Sequence, residues 1–158
     1  MVADSAPIEV GVVARSHLRV RFYDEGDGTG ALLIHAEANG FAGTGDAYFS
    51  ISQLEDFAAK LGAFPLLRAR IAGGYYSGET YVELKQTHVA IECYPVDDNG
   101  DLALRLHLST KLGASDRPES QQSVVLEIRT TYEPLRRFGN ELAALIRGIK
   151  NEAFLEGD

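Results

Sequence analysis

The chain has 158 residues, 45% of them hydrophobic and 24% charged, a balance that suits one soluble globular domain and argues against a disordered or membrane-embedded chain. Its net charge of −8, from 23 acidic and 15 basic side chains mixed along the sequence, excludes nucleic acid as an expected ligand, because that binding needs a clustered basic surface to neutralise phosphates. No apolar run approaches the roughly 20 residues that span a bilayer. The opening residues lack a positive segment followed by an apolar one, so the cytoplasm is the expected location.

A single domain is expected over residues 1–158, with 1–16 an irregular or edge segment. "LRVRFY", Leu18–Tyr23, alternates apolar and polar residues and reads as a half-buried strand; "DEGDGTG" supplies a turn, and "ALLIHAEANG" returns as a second strand. From Phe41 the odd positions read Phe41, Gly43, Gly45, Ala47 and Phe49, which places the glycines on the apolar face of a third strand. There they would allow close approach of another element. They do not form a phosphate cradle, since strand-like sequence separates them from the next helix and the Lys-Ser/Thr pair of a P-loop is missing.

"SISQLEDFAAKLGAFP" reads as a short amphipathic helix. Ser52 and Glu55 stand at capping-box spacing, Leu54, Phe57, Ala58 and Leu61 recur at helical spacing, and Gly62 with Pro65 ends the run. A less regular stretch, "LLRARIAGGYYSGE", leads into "TYVELKQTHVAIECYPV", one long strand or two broken near Gln86 and Thr87. "DDNG" marks a hairpin turn. "DLALRLHLST" then carries Leu102, Leu104, Leu106 and Leu108 on one face; after a polar loop, Val124, Leu126 and Ile128 repeat the pattern. The chain closes on an amphipathic helix with Pro134 in its first turn and a stripe of Leu135, Phe138, Leu142, Leu145, Ile146 and Ile149. The predicted fold is α+β: an antiparallel sheet of six to seven strands with two amphipathic helices on one face, in the order βββ-α-ββββ-α.

Recognisable chemistry is sparse. His17, His35, His88 and His107 stand singly, without the close spacing of metal-ligand pairs, so no metal and no cofactor is expected. No G-x-S-x-G elbow occurs. Asp97 and Asp98 lie in a turn, "DEGDGTG" lacks the ligand spacing of a calcium loop, and Cys93 falls on an apolar strand face where a small buried hydrophobe is expected. No catalytic residue is assigned. What stands out is the polar sheet face opposite the leucines, rich in Tyr and Arg, the residue types that favour interfaces. Tyr23, Tyr48, Tyr81, Tyr94, Arg105 and Arg129 are the expected partner surface, for a basic protein or a toxin, or for a second copy of the chain.

"GTGDAYFSISQLEDFAAKLGAFPL", with the paired strands that follow and "LRRFGNELAALI", resembles a group of small uncharacterised bacterial proteins. In layout the chain is similar to immunity proteins associated with cell-wall polymorphic toxins. The resemblance implies a bacterial, non-enzymatic domain that acts by binding a protein, and it transfers no catalytic residue. The second expectation is a binding protein for a small apolar ligand held between the terminal helix and the sheet.

Overall fold

Leu18 and Val20 point inward between His17, Arg19 and Arg21, and this alternation forms strand β1 (Ser16–Asp24) in a computed structural model that describes residues 15–77 and 83–158. Most of the predicted irregular leader lies outside the described residues; Ser16 already pairs as a strand. The acid-rich segment makes Asx turns. Asp24 Oδ1 accepts from the Gly26 N–H at 2.8 Å and Asp27 Oδ1 from the Thr29 N–H at 3.0 Å. Strand β2 (Thr29–Ala38) returns antiparallel, and Asn39 and Gly40, with φ of 53° and 86°, form a two-residue turn into β3 (Phe41–Ser50).

Helix α1 (Ile51–Lys60) starts two residues earlier than the expected cap at Ser52 implies. Its cap is Ser50, whose Oγ accepts from the Gln53 N–H at 3.2 Å, not Ser52 with Glu55. Ser50 leaves β3 in extended geometry and so is already positioned to cap. The stretch predicted as less regular is strand β4 (Ala69–Ser77). It pairs with β5 (Glu83–Pro95), which runs unbroken through Gln86 and Thr87; the irregularity lies in the pairing, with register shifts at Gly73/Gly74 and Tyr75/Tyr76. Asp97 Oδ1 accepts from the Asn99 N–H at 2.8 Å, and Gly100, at φ of 91°, completes the turn into β6 (Leu102–Ser109). Strand β7 (Ser123–Thr130) follows a loop containing one 3-10 turn, Pro118–Ser120.

Helix α2 (Tyr132–Ile146) holds Pro134 in its first turn, as expected. It stops before Ile149, because Gly148 adopts a φ of 78° just past the Arg147 cap, and Ile149 is 73% exposed instead of joining the stripe. A further strand, β8 (Ala153–Gly157), was not anticipated in the sequence; it pairs with β1.

The fold is thus α+β and the predicted element order holds, with β8 added, but the strands form two sheets of four and not one. The orders are β3-β2-β1-β8 and β4-β5-β6-β7, all pairs antiparallel. β3 touches every strand of the second sheet, so it runs across them at a steep angle. The helices pack on each other and bridge the sheets, α1 reaching β3 and β4 and α2 reaching β1 and β8. Inner faces and helices share one cluster, in which Leu102, Leu104, Leu106, Ile128 and Cys93 are all fully buried.

The glycines of β3 let the sheets cross. A Cβ at Gly45 would stand 3.0 Å from the His88 carbonyl oxygen and 3.3 Å from Leu108 Cβ, both fixed by β5 and β6. Gly45→Ala gains about 0.5–1 kcal/mol from reduced backbone entropy. Overpacking against rigid backbone costs about 1–3 kcal/mol. The second effect wins, so the variant is expected to melt lower than the parent in a thermal denaturation; an equal or higher midpoint would show slack at the crossing.

Candidate functional site on the outer face of the first sheet

The strand registers lay out this face in rows. Tyr23 and Tyr48 flank Ala31, and both rings are more than half exposed, at 57% and 58%. The next row is Arg21, Leu33 and Asp46, followed by Arg19, His35 and Thr44. These two rows line a depression of about 380 Å³. Its charges are tied at the rim: Arg19 Nε donates to Glu152 at 2.9 Å, Arg21 reaches the same carboxylate at 3.4 Å, and Lys111 donates to Asp46 at 3.0 Å. The Arg19 guanidinium also lies 5.6 Å from the centre of the Phe154 ring, whose residue faces it on β8.

The sequence-predicted surface is divided by the two-sheet architecture. Tyr23 and Tyr48 belong to this face; Tyr94, Arg105 and Arg129 sit on the outer face of the second sheet; Tyr81 lies outside the described residues. On the second sheet Arg70, Glu92, Arg105 and Glu127 stand side by side across four strands, a rung of alternating charge. Arg68 pairs with Glu92 and lies 4.8 Å over the Tyr94 ring. The Tyr94 hydroxyl donates to Glu127 at 2.7 Å, and burial together with that hydrogen bond pushes its phenol up to about 12. Both carboxylates of that rung, Glu92 and Glu127, are thus engaged by side chains of the same face.

A third grouping was invisible in the sequence. His17 and Glu37 are direct partners across β1 and β2, and His35, two residues before Glu37, lies on the same outer face. One ligand-capable atom from each comes within 4.8 Å of the other two, and all three residues are half-buried. The His17 and His35 ring centres are 5.5 Å apart, and Phe154 stacks on His17 at 6.0 Å. These are the residues that could hold a metal. The signal that finds them is the Asp24–Gly30 turn: once it sets the register, every facing pair in the hairpin follows.

The other reactive side chains are engaged elsewhere. Cys93 is fully buried, and burial, with the charge of Glu92, drives its thiol far above the ordinary range. His88 donates from Nε2 to Gln86 Oε1 at 2.9 Å, and burial, with the charge of Lys111, lowers its pKa. Among the described residues no helix is long and apolar enough to cross a membrane. No family model matches the chain, and neither a curated protein nor a solved structure matches it significantly.

Proposed function

We propose that the protein works without catalysis, by binding another protein through the outer face of its first sheet. The observation that carries this reading is the exposed pair Tyr23 and Tyr48, set beside the depression floored by Leu33. Large rings with polar ends are the side chains that anchor interfaces. The partner is basic: the chain carries −8, and Asp24, Glu25 and Asp27 form an exposed acidic rim directly after Tyr23. Together with the resemblance in layout to immunity proteins drawn from the sequence, this supports an inhibitor of a toxin in a bacterial cytoplasm.

The apolar-ligand alternative has less behind it. It needs α2 to part from the sheet, because Leu135, Phe138 and Leu142 are packed into the core.

The test is a titration against the purified product of the neighbouring reading frame, with the protein alone sedimented to detect self-association. A complex is expected, weakened at least about 30-fold in Tyr23→Ala/Tyr48→Ala, which corresponds to the 2 kcal/mol typical of an interface anchor. The melting temperature should hardly move, since exposed substitutions stay within about 0.5 kcal/mol. Equal affinity would remove this face from the interface, and a partner-free protein that dimerises through it would replace the toxin by a second copy.

A further inference from the structure

We propose that His17, His35 and Glu37 form a binding site for a divalent transition-metal ion, of which zinc is the type. Two imidazoles and one carboxylate are a donor set used by open zinc and non-haem iron centres, with positions left for water or an incoming group. The geometry is close to assembled. Around a tetrahedral ion with bonds of about 2.0–2.1 Å, ligand atoms stand about 3.4 Å apart. The three atoms here already lie within 4.8 Å of one another on two directly paired strands, so small side-chain rotations complete the set.

The neighbours make the case sharper. Elsewhere on this face the charged groups are matched: Arg19 and Arg21 with Glu152, Lys111 with Asp46, Arg15 with Glu156. Among the described residues the Glu37 carboxylate has no hydrogen-bond or ion-pair partner, and neither imidazole makes a hydrogen bond or ion pair; their ring contacts are with each other and with Phe154, and Glu156, the partner of Arg15, stands beside His17 on β8. Three half-buried ligand groups that converge without other partners fit a cation that takes all of them at once. Phe154, stacked on His17, adds the apolar cover that orients a ligating ring and limits water. Because two of the three donors are imidazole nitrogens, the site discriminates against oxygen-seeking Mg²⁺ and Ca²⁺.

The experiment titrates the metal-free full chain with Zn²⁺ against a chromophoric chelator while the histidine ring signals are followed by NMR. One equivalent is expected, with Mg²⁺ and Ca²⁺ failing to compete, and with the rings of His17 and His35 shifting while those of His88 and His107 stay. His17→Ala, His35→Ala and Glu37→Gln should each weaken Zn²⁺ by about tenfold or more. Acidification should release the ion, because the ligands must give up their protons to bind. Absence of binding, binding of unchanged strength in His17→Ala/His35→Ala, or shifts confined to His88 and His107 would overturn the assignment. The NMR measurement uses the unaltered protein, so it decides the matter even where a variant fails to fold, and it needs no protein partner.

Discussion

Leu104→Ala is expected to lower the unfolding free energy by about 2–5 kcal/mol, the range for truncating a buried leucine in a core that closes only partly around the gap. The side chain is 0% exposed and stands on the inner face of β6, in one rung with Cys93 on β5 and Ile128 on β7. Both neighbours are themselves fixed by strand pairing, so little can move to fill the space. Against a typical total of about 5–15 kcal/mol, the loss removes a large part of the native margin. Urea denaturation is the measurement: the midpoint should fall with little change in slope. Leu67→Ala, at a position 76% exposed, serves as the surface control and should leave the midpoint in place. If both variants behave alike, the inner and outer faces of β6 have been assigned the wrong way round.

Ending the chain after Lys150 is expected to cost about 3 kcal/mol or more, because it deletes β8. Leu155 and Ala153 are both buried against the core, and full burial of a leucine side chain alone contributes about 1.5–3 kcal/mol. Helix α2 rests on β8, and Glu152, the shared partner of Arg19 and Arg21, leaves with it. The truncated protein also presents β1 as a bare edge, with unpaired backbone groups along a strand of which one face is apolar. A lowered urea midpoint and concentration-dependent association in sedimentation are therefore expected together. A truncated chain with the parent's midpoint that remains monomeric would make β8 a passenger on the fold.

Much of this architecture is legible in the sequence, for reasons that can be stated residue by residue. Leu102, Leu104, Leu106 and Leu108 alternate without a break because β6 is an inner strand of its sheet, and all four are buried as expected. β4 is less legible: its inner face includes Gly73, where a Cβ would meet Phe49, and two register shifts interrupt its pairing. β8 is only five residues long and follows a helix end, too little for periodicity to announce. Alternation says that each strand has a buried face; it does not say which strands share a sheet. That ambiguity merged Tyr23 and Tyr48 with Tyr94, Arg105 and Arg129 into one surface, whereas the two sheets carry them on separate outer faces. The His17, His35 and Glu37 group has the opposite history. It depends on register across a hairpin, a relation that spacing along the chain does not display.

The burial of Cys93 turns the only thiol of the chain into a reporter of opening. It lies on β5, an inner strand, with its side chain fully buried in the core that the sheets and helices share, so a thiol reagent can reach it only when that part of the structure comes apart. Where closing is faster than labelling, the ratio of the observed rate to that of a free thiol gives the equilibrium between closed and open forms under native conditions. Any occupant of the outer face of the first sheet, whether a basic protein or a metal ion, that binds the closed form and not the open one slows the labelling by the factor one plus its free concentration over its dissociation constant. Engagement at one surface can thereby be read from a residue buried in the shared core, without a mutation or knowledge of the ligand's own signal.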